Sequence, residues 1–183
     1  MRMLPLDDPR WKDLDHRGWS CGHRSKLDPT APFVPDALRA LSEKPSDHTR
    51  FQELWPYLCS EGTAWPAAYA AVPYIVEIAQ KLQPAERFEY LYVIGLIRMS
   101  EAVESGDSAL RTSVAASYRE ALPRALALVA ELVPHPHDAS TTRYLLAAIA
   151  SLKGHTDLAR ILNELDTFAE CPECSVQVFE YRE

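Results

Sequence analysis

From Val34 onward, apolar residues recur every three or four positions, the spacing of helices that turn one face toward a core. Leu38 and Leu41 place a short helix after Pro35, ending near Pro45, and Ser46 is the expected N-cap of a second, containing Phe51, Leu54, Trp55 and Leu58. In EGTAWPAAYAAVPYIVEIAQK, residues 61–81, Gly62 breaks the preceding helix and Thr63 is the expected N-cap. Pro66 then falls in the first turn, where its missing N–H costs little. Pro73 lies inside the same pattern, where a proline removes one hydrogen bond and bends the helix. Ala70, Ala71, Val72, Ile75, Val76, Ile78 and Ala79 surround it with small and branched apolar residues, so close packing can offset the loss. The segment predicts a bent, deeply packed helix.

Gln83 and Pro84 punctuate the chain before ERFEYLYVIGLIRMSEAVE, a helix with acidic residues near its start and Leu91, Ile94, Leu96, Ile97 and Met99 inside. Gly106 and Asp107 make the next turn, and SALRTSVAASYREALPRALALVAELV runs to Val133 with Pro123 near its centre. Asp138 or Ser140 caps TTRYLLAAIASLKG, which Gly154 ends, and HTDLARILNELD forms one more helix. SVQVFEY has strand-like alternation near the end of the chain.

About seven helices joined by short turns predict an all-α fold. Apolar faces too wide for surface helices suggest antiparallel helix pairs stacked into a HEAT-like α-solenoid. The repeat, about 40 residues in HEAT units, is very unequal here, and a compact bundle is the competing architecture. Three regions follow: an irregular arm at 1–33, a helical domain at 34–167, and a small β or knuckle segment at 168–183. The arm is rich in prolines and glycines and is expected to pack on the domain through Trp11, Trp19 and Phe33.

At 183 residues the chain is long enough to bury a core unaided. No apolar run approaches the roughly 20 residues of a membrane span, and MRMLPLDDPRWKDLD lacks an apolar signal core, so a cytoplasmic location is expected. A formal net charge of -7 opposes nucleic-acid binding at long range and would steer a basic protein partner inward.

Cys171 and Cys174, in CPEC, are the sharpest local motif, because two thiolates two residues apart can grip one zinc ion from a single turn. A full site needs about four ligands. Cys21 and His23 would complete it if the arm folds back; otherwise CPEC is two free cysteines in a degenerate knuckle. No Gly-rich phosphate loop, GxSxG elbow or HExxH pair is present, so neither a cofactor nor an enzyme is expected. The carboxylate pairs Glu86 with Glu89 and Glu101 with Glu104 sit at helix spacing near ends, where capping charges are ordinary.

Aromatic residues concentrate between Phe51 and Tyr92. Tyr90 and Tyr92 point to different helix faces, so some of the set must leave the core. Beside Glu53, Glu61, Glu77 and Glu89 they would suit a hot-spot patch for a basic surface. The expected contact set is Trp55, Tyr57, Glu61, Trp65, Tyr69, Glu77, Glu89 and Tyr90.

LWPYLCSEGTAWPAAYAAVPYIVEIA resembles a segment of bacterial HEAT-like immunity-type proteins, in which a Gly-Thr turn leads to an alanine-rich helix of the form AAYAAVPxLVxIA. Leu54, Leu58, Gly62, Thr63, Ala68, Tyr69, Ala70, Ala71, Val72 and Pro73 match it. Such proteins often close with a CPxC segment, here Cys171 to Cys174. The pattern differs at Glu61, where glutamine is usual, and at Ser175, where glycine is usual. The resemblance implies an α-solenoid that sequesters a polymorphic toxin. Together with the charge, it leads to the expectation of a non-enzymatic immunity protein that occludes the active site of a basic cognate toxin. The alternative is a HEAT-like scaffold or adaptor for cellular proteins.

Overall fold

The computed structural model describes residues 3–14, 19–20, 23–24, 33–60, 62–102, 108–170 and 177–181. Within them the chain is mostly helical. The arm forms α1 (Trp11–Leu14) and a two-residue ladder, β1 (Trp19–Ser20) with β2 (His23–Arg24). Next come α2 (Val34–Glu43), α3 (His48–Leu54) and a 3₁₀ turn at Trp55–Tyr57. The chain continues through β3 (Cys59–Ser60), β4 (Thr63–Ala64), α4 (Pro66–Lys81), a 3₁₀ turn at Pro84–Glu86, α5 (Phe88–Met99) and β5 (Glu101–Ala102). It ends with α6 (Ser108–Leu132), α7 (Ala139–Leu152), α8 (Thr156–Glu164), β6 (Leu165–Glu170) and β7 (Gln177–Tyr181).

Two expected caps differ. Asp47, not Ser46, starts α3: its carboxylate accepts from the Arg50 backbone N–H at 3.2 Å. Thr63 does not cap α4, because its backbone is used in a ladder. Ser60 pairs with Thr63 in the β3–β4 hairpin, and β5 pairs parallel to β4 on the other side. Gly62, at φ 75, supplies the left-handed turn residue. The cap position of α4 passes to Trp65, in extended backbone, and Pro66 occupies N1 as its fixed φ favours.

Alpha4 is apolar nearly all round, and such a helix must be enclosed. Helices α2, α5 and α6 pack against it, while α5 also packs on α6, α7 and α8. The helix runs unbroken through Pro73, whose ring is buried. Pro123 in α6 is instead exposed, where water can serve the carbonyl its missing N–H leaves unpaired. The arm is tied to α4 as well. The Tyr74 hydroxyl donates to the Leu4 carbonyl at 2.7 Å, and the indole N–H of the buried Trp11 donates to Pro5 at 2.8 Å. The side chain of Trp19 lies outside the described residues.

Alpha5 and α7 meet through small residues. The Ser151 hydroxyl donates to the Gly95 carbonyl at 2.8 Å, and a Cβ built on Gly95 would stand 2.9 Å from both Cα and Cβ of Ala148. Alanine has the better helix propensity by about 1 kcal/mol. The clash is with backbone, however, so the helices must part. Overpacking of this kind costs about 1–3 kcal/mol, so Gly95→Ala is expected to lower stability by about 1 kcal/mol net. Urea midpoints will measure it, and adding Ala148→Gly should relieve only part, since the Ala148 Cα remains.

Asp138 is the cap of α7, accepting from the Thr141 backbone N–H at 2.8 Å and from its hydroxyl at 2.9 Å. These bonds, the backbone one first, hold its carboxyl below the usual carboxylate range. The contribution is therefore complete above the unfolded-chain pKa and disappears as pH falls through the lower, folded value. Asp138→Asn keeps an acceptor and should flatten this part of the acid limb in melting temperatures taken from about pH 6 to about pH 2.

Past Gly154, at φ 88, α8 follows as expected. It gives way at Leu165 to β6, which pairs antiparallel with β7, so the last strand-like segment does form a strand. Cys171 and Cys174 lie outside the described residues, as do Cys21 and Glu61.

Candidate binding cleft

The hairpin β3–β4 and the 3₁₀ turn before it stand beside the C-terminal half of α5, and α8 closes on the same place. Between them is a cleft of about 420 Å³. Trp55 and Tyr92 form its aromatic wall, with ring centroids 5.9 Å apart and planes at 86°. Leu96 and Met99 continue the wall along one face of α5, at the four- and three-residue steps that bring side chains into line. Arg160, Asn163 and Glu164 supply the polar side from α8.

The rim is braced from several directions. The Tyr92 hydroxyl donates to Asn163 Oδ1 at 2.7 Å, tying α5 to α8. Arg160 donates to the Met99 carbonyl at 3.2 Å, placing a cation at the C-terminal end of α5, where the helix dipole favours it. Behind Tyr92, Phe88 stacks on its ring at 5.8 Å and 8°, and Tyr144 packs at 4.9 Å with the Arg143 guanidinium 4.7 Å above its face. Burial pushes the Tyr92 hydroxyl up to about 12, so it stays a neutral donor at physiological pH.

Cys59, in the cleft floor, is buried. Desolvation pushes its thiol up to about 12, against an opposing hydrogen bond from Trp55. Held as a thiol at neutral pH, it is not an activated nucleophile. Aromatic faces, an apolar strip and a few fixed polar groups are the parts of a recognition surface.

The expected contact residues divide. Trp55 lines the cleft and is half-buried. Tyr57, Tyr69 and Glu77 are also half-buried, but none lines it. Tyr69 packs edge-on against Tyr118 at 5.1 Å. Glu89 accepts from Gln52 at 2.8 Å and stands 3.6 Å from His48 Nδ1, so it has partners within the fold. Two residues are corrected from surface to interior. Trp65, the N-cap residue of α4, is 7% exposed, and Tyr90 is 0% exposed, stacked on Phe51 at 3.9 Å with its hydroxyl donating to Pro45.

The divergence of Tyr90 and Tyr92 follows from their two-residue separation on a helix: one enters the core and the other the cleft. Of the carboxylate pairs, Glu86 accepts from the Gln83 backbone N–H at 3.2 Å, a capping role. Sequence reasoning did not assign Tyr92, Leu96, Met99, Arg160 and Asn163 to the site. The first three share one face of a helix, a signal readable from spacing alone; the α8 residues gave none.

Comparison with protein-family models, curated proteins and solved structures finds no match to this chain. Among the described residues no group of three or more His, Cys, Asp and Glu side chains is placed to hold a metal ion, and no helix is long and apolar enough to cross a membrane.

Proposed function

We propose that this protein is an immunity-type binding protein of HEAT-like α-solenoid form, which neutralises a cognate basic toxin in the cytoplasm by covering its active site. The observation that carries the reading is the cleft at Trp55 and Tyr92, an aromatic recess with a braced polar rim on a chain of net charge -7. Rigid aromatic anchors in partly desolvated recesses dominate protein interfaces, and negative charge steers a basic partner toward them. The solenoid part is supported by the packing order. Alpha4 packs on both α2 and α6, α5 packs on α7, and the sequential neighbours α2/α3, α4/α5 and α6/α7 are in contact, as stacked helix pairs would be.

The experiment is affinity capture of the tagged protein from its host at moderate salt, followed by an activity assay of whatever is retained. Recovery of one basic protein whose toxicity is abolished by an equimolar amount of this chain supports the reading. Capture of several housekeeping proteins with no toxic activity favours an adaptor instead.

A further inference from the structure

The cleft at Trp55 and Tyr92 has a sign as well as a shape. Two helices end on it: Met99 is the last residue of α5 and Glu164 the last of α8, and both line the recess. The final carbonyls of a helix lack partners within it, and together they act as about half a negative charge. Glu164 adds a full one. It is exposed, and none of the ion pairs among the described residues includes it. The one cation among the lining residues is Arg160, whose guanidinium is turned to the Met99 carbonyl at 3.2 Å. Arg98, the other cation at that end of α5, does not line the cleft.

The lining also offers acceptors and a ring to set against them. The Ser100 hydroxyl spends its proton on the Leu96 carbonyl at 2.7 Å, which leaves its lone pairs to accept. Asn163 Oδ1 accepts from Tyr92 at 2.7 Å and keeps a second lone pair. Trp55 is fixed on two sides, by the hydrogen bond to Cys59 and by its edge-to-face contact with Tyr92 at 5.9 Å, yet it is only half-buried. An indole face is the best aromatic surface for a cation. Leu96 and Met99 run beside it as an apolar strip, and the recess of about 420 Å³ has room for one long side chain.

We propose that the cleft seats a single arginine side chain of the partner, its guanidinium against Trp55 and the Glu164 carboxylate and its stem along Leu96 and Met99. The inference rests on the reading of this cleft as the place where the partner is held. An acidic side chain is disfavoured, because Glu164 and two helix ends repel it while Arg160 already has an acceptor. Arginine is favoured over lysine on three grounds. Its planar head stacks on an aromatic ring, forks onto a carboxylate, and sheds water more readily than an ammonium. Its five donors and lack of any acceptor match a lining of carboxylate, hydroxyl and amide oxygens. The methylene stem covers apolar surface while the head reaches the polar rim.

The test titrates the full chain with the N-acetyl amides of arginine, lysine and glutamate at equal ionic strength and follows the Trp55 indole N–H signal by NMR. Trp55→Phe identifies that signal by its loss; should the variant not fold, the Met99 methyl, identified by Met99→Leu, reports from the same wall. Saturation by the arginine compound at lower concentration than by the lysine compound, weakened about three- to fivefold in Glu164→Gln as expected for a partly exposed ion pair, establishes the site. Equal or tighter saturation by lysine overturns the choice of arginine, and saturation first by glutamate overturns the sign of the cleft. Arginine binding unchanged in Glu164→Gln overturns the role given to that carboxylate, and no saturable movement with arginine overturns the proposal. No partner protein enters this titration, so it can fail while affinity capture recovers a toxin, and capture can fail while it succeeds.

Discussion

Trp55→Ala is expected to weaken binding of the captured partner by about 2–4 kcal/mol, roughly 30- to 1,000-fold, the loss typical of a central aromatic anchor. The size follows from position. Among the described residues, Trp55 is the one member of the expected contact set that lines the cleft, and its ring meets Tyr92 edge to face at 5.9 Å, so its removal opens the wall on that side of Tyr92. Tyr92 would still hold Asn163 through its hydroxyl, which keeps the α8 side of the cleft in place. The ring also packs on the edge of the core, so some stability is lost as well. Affinity is therefore to be measured by calorimetry at a temperature where circular dichroism shows the variant fully folded. Unchanged affinity in a folded variant would move the partner to another surface. Trp55→Phe retains an apolar anchor and should recover a large part of the loss.

What could be read from the sequence was local, and it was read where one residue type has one physical use. Pro66 at the first helical position, Asp138 as a cap and Gly154 after a helix each solve a backbone problem that few residues can solve. Thr63 failed by the same logic. It is a good cap in isolation, but its backbone is committed to pairing with Ser60 on one side and Glu101 on the other, and the second of these is a non-local contact that no window of sequence contains. The helical class was likewise legible from periodicity. Which faces meet was not, since the contact of α5 with α7 depends on the fit of Gly95 against Ala148, 53 positions apart by their numbers (148 − 95).

The cleft shows the same division. Tyr92, Leu96 and Met99 are aligned by helix geometry and could have been grouped from their numbers. Their polar counterpart is on α8: Asn163 is 71 positions from Tyr92 and reaches it only through packing. Aromatic clustering in the sequence pointed to the neighbourhood of the cleft while leaving burial open. Such a residue is either an anchor for a partner or an anchor for the core, and only the position of its own helix distinguishes them.

Tyr90→Ala decides that question for the residue most deeply reassigned, and a loss of about 3–5 kcal/mol of folding stability is expected, the range for deleting a large buried aromatic. Three contributions add. The ring is 0% exposed, so its apolar area returns to a cavity that neighbouring helices cannot fully close. The stack on Phe51 at 3.9 Å is lost, and with it one of the contacts that join α3 to α5. The Pro45 carbonyl also loses the hydroxyl that donates to it at 2.7 Å from 45 positions away. Tyr90→Phe separates these effects, because it keeps the ring and removes only the hydroxyl, and should cost about 1–2 kcal/mol. Urea titration of both variants gives the comparison. Were Tyr90 instead a partner contact, the alanine variant would retain its urea midpoint and lose affinity; a residue enclosed between α3 and α5 must do the reverse, losing stability first and affinity only as the folded fraction falls.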